Sequence, residues 1–265
     1  MATAAAPIGI FDSGVGGLSI ARELFSALPA EDLVYFADCA YCPYGTRDPE
    51  EISERCQFIA AMLDALGVKL IVAACNTACA IALPALRERF AIPIIGLEPA
   101  VKPAARLTQT GRIAVLATPR TIASERLDRL IREHAAGIWV ERIAAPGLVE
   151  LVEAGIVSGE EVLTTLRPLV EPPVARGADV IVLGCTHYPF LRAAIAHIAG
   201  PTVQIIDSGP AIARRVHDVL GERSLAAPPA HRGRLRILTS GDPAWVSTIA
   251  QQLLGEPCQV ARVSG

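Results

Sequence analysis

"GADVIVLGCTH" (Gly177 to His187) opens on a glycine, runs through four consecutive apolar residues, and ends in a glycine, a cysteine, a threonine and a histidine. A short run of Val, Ile and Leu bounded in this way reads as a strand buried on both faces, the kind found in parallel sheets. The stretch "GVKLIVAACNT" (Gly67 to Thr77) lies over it without a gap, glycine on glycine and Cys75 on Cys185, at an offset of 185 − 75 = 110 residues. Further on, "PIIGLEPAV" (Pro93 to Val101) lies over "QIIDSGPAI" (Gln204 to Ile212), with Pro99 facing Pro210 at an offset of 111. Two matches in one order at nearly one offset mark two related halves. A repeat of this length fits paired α/β lobes and not a solenoid, whose period is a few tens of residues.

Outward from the repeat, apolar segments at 8–11, 33–37, 69–74, 93–97, 112–117, 138–143, 179–183 and 203–206 are short and rich in Val, Ile and Leu. Between most of them lie helical patterns such as "SERLDRLIREH" (Ser124 to His134), with apolar residues three or four apart. The tail adds a strand in "LRILTS", a helix from Pro243 to Leu254 and a final strand in "CQVARV", while "GERSLAAPPAHRGR" (Gly221 to Arg234) reads as a surface loop. Alternation of strands and helices predicts an α/β fold: two pseudo-symmetric lobes with largely parallel central sheets.

The chain has 265 residues, 52% of them hydrophobic, which is enough for one large core or two modest ones. No apolar run is long enough for a membrane span, and "MATAAAPIGIF" lacks the basic and apolar regions of a secretory signal, so a cytoplasmic protein is expected. Seven cysteines in a reducing compartment are free for chemistry or packing. A net charge of −3 argues against a dedicated nucleic-acid binder. Lys69 and Lys102 are the only lysines, one at a strand start and one at a helix start, so neither suits a Schiff-base cofactor.

Ligands in open α/β sheets gather at the carboxyl ends of the strands. Those ends carry Asp12 and Ser13, then Asp38, then Cys75, Asn76 and Thr77, then Thr118 and Thr121, then Cys185, Thr186 and His187, then Asp207 and Ser208. Acids, hydroxyls, an amide and two thiols converge without metal-ligand spacing, which describes a pocket for a small, polar, charged molecule. Two thiols in symmetric lobes would face each other across a cleft. That suits removal of a proton from one face of a carbon and delivery to the other, one sulfur acting as thiolate base and its twin as thiol acid. Amide donors would hold a substrate carboxylate and stabilise the charge that develops.

The chain resembles the bacterial glutamate racemases, the cofactor-independent branch of the aspartate/glutamate racemase superfamily. The motifs run in order from "IGIFDSGVGGLS" through "YFADCAYCPYG", "ACNTA", "PIIGLEPA", "LATPRTI", "LVELVEAG" and "GCTHYPFL" to "IIDSG" and "LTSGDP". The resemblance implies a first lobe of residues 1–98 plus 208–265, a second lobe of 99–207, and an active site in the cleft between them. It implies that Cys75 and Cys185 are the acid/base pair, with Asp12 and His187 tuning their neighbouring thiols and Glu153 in support. It assigns substrate contacts to Asp12, Ser13, Tyr44, Gly45, Asn76, Thr77, Thr118, Thr121, Thr186 and His187. It further implies no cofactor and no metal, glutamate as substrate, D-glutamate supply for peptidoglycan, and a homodimer.

Other readings stay open on the residues alone. Either cysteine could be a small hydrophobe at a buried strand end. Cys39 and Cys42 could form a redox pair or half a zinc site, although no second pair stands at zinc spacing. Gly14-x-Gly16-x-x-Ser19 followed by Asp38 nearly copies a dinucleotide-binding fingerprint, against which Asp12 would repel a pyrophosphate. A two-lobed ligand-binding sensor is the non-enzyme alternative, and it would need no thiol pair.

Overall fold

A computed structural model of the chain describes residues 3–263. Ten strands follow in order: β1 (Ile8–Asp12), β2 (Leu33–Ala37), β3 (Leu70–Ala73), β4 (Ile94–Gly96), β5 (Arg112–Ala117), β6 (Trp139–Ala144), β7 (Val180–Leu183), β8 (Gln204–Ile206), β9 (Leu235–Thr239) and β10 (Val260–Arg262). They form two sheets, one ordered β10-β9-β2-β1-β3-β4 and the other β6-β5-β7-β8, and every pairing is parallel. Strands β1, β3 and β7 are buried along their whole length, in keeping with sequences that are apolar throughout except for the Asp12 that ends β1.

The described chain divides into two compact units, one made of the residues up to Leu97 with those from Gly209 onward, the other of Glu98–Ser208. Glu98 and Ser208, expected in the first lobe, fall in the second. There the Ser208 hydroxyl donates to the Glu98 carbonyl at 2.5 Å, so the chain enters and leaves that unit at one point. Each unit has its own core; in the second, Ile113, Val115, Val180 and Val182 from the sheet pack with Leu127 and Leu130 of the helix Glu125–His134.

The repeat read from the sequence is present in the topology of each sheet. The run β2-β1-β3-β4 matches β6-β5-β7-β8 strand for strand. Its register matches as well, with Ile71 opposite Ile94 in one sheet and Ile181 opposite Ile205 in the other. Helix starts follow ordinary capping chemistry: Asp48, Thr118, Ser124 and Asp242 each accept a backbone N–H, and Pro stands in the first turn after all but Ser124. No helix among the described residues is long and apolar enough to cross a membrane.

Candidate active site

Leaving β3 and β7, the chain stays tied to the neighbouring strand for one more residue. The Ala74 N–H donates to the Phe11 carbonyl and the Gly184 N–H to the Leu116 carbonyl, each at 2.7 Å. A side chain at position 184 would meet the Leu116 carbonyl and Ala117 Cβ at 3.0 Å, so glycine lets this second strand end pack closely. Cys75 and Cys185 are therefore each the first residue released from its sheet, and both are buried.

In the first unit, Cys75 is itself the N-cap of the helix Asn76–Ile81, its sulfur accepting the Ala78 N–H at 3.4 Å. An amide aimed at sulfur favours the thiolate. The Cys75 thiol also donates to Ser13 Oγ at 3.9 Å, and the Ser13 hydroxyl donates to Asp12 Oδ1 at 3.4 Å. Asp12, fully buried, accepts the Ser13 N–H at 2.8 Å and the Gly17 N–H at 2.5 Å. Bonds from amides to a buried carboxylate contribute about 1.5–3 kcal/mol each. Only glycine fits at position 17, since a Cβ there would stand 2.8 Å from Asp12 Cβ and 2.9 Å from Tyr35 Oη. Thr77 is buried beside this group, and Asn76 Oδ1 is buried with no hydrogen-bond partner.

In the second unit the sulfur meets a different device. Cys185 Sγ lies 3.6 Å from His187 Nδ1, and His187 Nε2 lies 2.6 Å from Glu153 Oε1. The Glu153 carboxylate can only accept from Nε2–H, which leaves Nδ1 to take the thiol proton. Glu153 is the last residue of the helix Leu148–Glu153. No α-helix starts directly after this cysteine: a 3₁₀ turn, Tyr188–Leu191, follows His187, and the helix proper begins at Arg192. Buried Tyr188 donates to the Ala145 carbonyl at 2.9 Å, and burial, then the nearby Cys185 charge, push its phenol pKa up.

The remaining expected residues take three places. Thr118 caps the helix Pro119–Ile122 and its hydroxyl donates to Thr121 Oγ1 at 3.1 Å, so these two are joined to each other at the end of β5. Thr186 is buried between Cys185 and His187. Tyr44 and Gly45 lie in the 3₁₀ turn Tyr44–Thr46, where the Tyr44 hydroxyl donates to Asp38 Oδ2 at 2.6 Å. Burial first, then the Cys56 and Asp38 charges, raise the Tyr44 pKa far above the working range. Arg55, which nothing in the sequence singled out, grips Asp38 through Nη2–Oδ1 at 2.8 Å and Nε–Oδ2 at 3.2 Å. A pairing across 17 residues between a strand end and a helix face leaves no signal in spacing.

The geometry also weighs the rival readings. Asp12 takes up loop amides that a dinucleotide phosphate would need, and Asp38 is held by Arg55 and Tyr44 instead of standing ready for a ribose. Lys69 is buried, bonded to the Ala4 carbonyl at 2.8 Å and paired with Glu31. Cys79 is structural, donating to the Ala73 carbonyl and accepting the Leu97 N–H, both at 3.2 Å. Burial pushes the Cys56 thiol pKa up and keeps it protonated.

A family model described as Asp/Glu/hydantoin racemase matches residues 8–216. A glutamate racemase of Herpetosiphon aurantiacus is 49% identical over 93% of this chain and 97% of its own length. Among solved structures, the glutamate racemase isoform RacE1 of Bacillus anthracis has a TM-score of 0.88 at 33% identity, covering 98% of this chain and 97% of that one. The Francisella tularensis glutamate racemase, solved in complex with D-glutamate, has a TM-score of 0.86 at 31% identity, covering 99% and 98%.

Proposed function

The chain belongs to the Asp/Glu/hydantoin racemase family and within it to the glutamate racemases, which are amino-acid isomerases, and from that premise we propose how its own residues interconvert L- and D-glutamate. Cys185 as thiolate removes the α-proton of the L-enantiomer while Cys75 as thiol delivers a proton to the opposite face, and the roles exchange for the D-enantiomer. The observation that carries this reading is the equivalence of the two sulfurs. Each is the second residue beyond a matching strand, and each leads through one polar side chain to a carboxylate: Ser13 to Asp12, and His187 to Glu153. A purely structural cysteine needs neither relay.

The substrate is glutamate, supported by the relative solved with D-glutamate. The unpartnered Oδ1 of Asn76 suits a substrate ammonium, because a buried acceptor left unpaired costs roughly 1–3 kcal/mol until a donor arrives. Main-chain and hydroxyl donors at Thr77 and Thr186 suit the α-carboxylate, where charge collects once the α-proton leaves, while Ser13 directs its own donors to Asp12. Tyr44 and Gly45 contribute through their turn, and Thr118 and Thr121 through the end of β5. No cofactor or metal enters the scheme. In the cell the product would be D-glutamate for peptidoglycan, made in the cytoplasm by a homodimer.

The test is conversion of L-glutamate in D₂O without added pyridoxal phosphate. Deuterium is expected first at the α-carbon of the D-product, with recovered L-glutamate largely unlabelled. Equal early labelling of both enantiomers would require a single shared base and would overturn the two-thiol scheme, as would near wild-type racemisation by Cys75→Ala or Cys185→Ala.

A further inference from the structure

Resting on that reading, we infer that Arg55 is a positioning residue for substrate binding, acting through Asp38 and Tyr44 to hold the Tyr44–Gly45 turn. The Tyr44 side chain is 1% exposed and its hydroxyl hydrogen is committed to Asp38, so what this turn offers a substrate is its main chain. A main-chain donor binds only as well as its turn is held. The question is therefore what fixes residues 38–46.

Asp38 is fully buried at the end of β2, and its two oxygens are divided among three donors: Arg55 Nη2 on one, Arg55 Nε and the Tyr44 hydroxyl on the other. The same guanidinium lies 4.0 Å from the centroid of the Tyr41 ring and 4.8 Å from that of Phe58. Arg55 thus holds the segment at its first residue, at its middle through Tyr41, and at Tyr44 through the shared carboxylate. Arg47 adds to the clamp, donating to the Tyr41 carbonyl and pairing with Glu51 at 2.8 Å. Lysine cannot replace Arg55 in kind. An ammonium is a point charge, whereas this site uses a planar fork on the carboxylate and a flat face between two rings. Without any cation, Asp38 becomes an uncompensated buried charge and its hold on Tyr44 fails with it.

The experiment is steady-state racemisation of L-glutamate by wild type, Arg55→Lys, Arg55→Met, Tyr44→Phe and the double variant Arg55→Met/Tyr44→Phe. KM is expected to rise about tenfold in Arg55→Lys and about thirtyfold in Arg55→Met, with kcat within about threefold of wild type, because the clamp sets binding geometry and not proton transfer. Tyr44→Phe should raise KM comparably, and the double variant should be no worse than Arg55→Met alone, since both cut one chain of contacts. In Arg55→Ala, added guanidinium at millimolar concentration should recover part of the lost affinity, which a general packing defect would not allow. The inference is overturned by an unchanged KM in Arg55→Lys, Arg55→Met and Arg55→Ala alike. It is equally overturned by a fall in kcat and melting temperature at constant KM, or by multiplying effects in the double variant. If wild type itself fails to racemise glutamate, the underlying reading falls and takes this one with it; if wild type is active and only the Arg55 variants behave as wild type, this inference alone is lost.

Discussion

Two cysteines that superpose in the repeat meet unlike neighbours. Cys75 is met by a backbone amide, a serine and a buried aspartate, Cys185 by a histidine and a glutamate. The proposed proton transfers at the two sulfurs are therefore separately adjustable, and this has a measurable signature. Mirror-image substrates have equal free energy, so kcat/KM must stay equal in the two directions whatever is mutated. Isotope effects escape that constraint. His187→Asn should lower kcat/KM by roughly 10²-fold in both directions, in line with loss of a general acid–base partner. With α-deuterated substrates its primary isotope effect should grow from the L-side, where the weakened Cys185 breaks the C–D bond. It should shrink from the D-side, where Cys185 only returns a solvent proton. Ser13→Ala should show the reverse pattern, and isotope effects that move together in either variant would contradict the assignment of one relay to each sulfur.

Strands and helices were largely legible because their signals are local. Val/Ile/Leu runs marked β1 to β8, and the helix Pro243–Leu254 has the bounds read from the sequence. The thiol positions were legible through the repeat, and the family motifs carried the rest of the expected site. What escaped were features that no local pattern records: the 3₁₀ turn after Cys185, the sulfur of Cys75 acting as its own helix cap, and the grip of Arg55 on Asp38. The repeat also fixes a position whose chemistry diverged. One residue ahead of β3 stands Lys69, buried against Glu31 and the Ala4 carbonyl; one residue ahead of β7 stands Asp179, accepting from Thr108 Oγ1 at 2.5 Å, Gln109 N–H at 2.6 Å and Thr110 N–H at 3.0 Å. Each ties a neighbouring segment to the amino end of its sheet. Burial alone would raise the Asp179 pKa, but these hydrogen bonds outweigh it and hold the carboxyl below its usual range. A depressed folded pKa contributes stability above the unfolded value and loses it as pH falls through the folded one. Asp179→Asn should accordingly lower unfolding free energy by about 1 kcal/mol at neutral pH. The deficit should begin to close as the pH drops below about 4, where the unfolded carboxyl takes up its proton, and should vanish once the native carboxylate, held lower, has taken up its own. Chemical denaturation at pH 7 and pH 3 measures both, and a deficit that persists undiminished in acid would mean the charge on Asp179 is not what matters.

At the scale of the molecule, one unit is built from the two ends of the chain and the other from its uninterrupted middle. The middle unit closes on itself: all pairings of β5, β6, β7 and β8 are internal, its core is drawn from its own sheet and helices, and Ser208 bonds back to Glu98 where the chain enters and leaves. Such a segment has what an independent folding unit needs, namely its own hydrophobic core and adjacent termini. A polypeptide of residues 98–208 should therefore fold alone, with a cooperative thermal transition and dispersed amide resonances. It should retain the Cys185–His187–Glu153 relay, because every member lies inside it. It should not racemise glutamate at all, because it carries one thiol, and a single acid/base group cannot serve both faces of a stereocentre without turning the substrate over. Racemase activity in that fragment would refute the need for the second sulfur more directly than any point substitution, whereas a fragment that never folds would show that the middle of the chain depends on its ends for more than a partner cysteine.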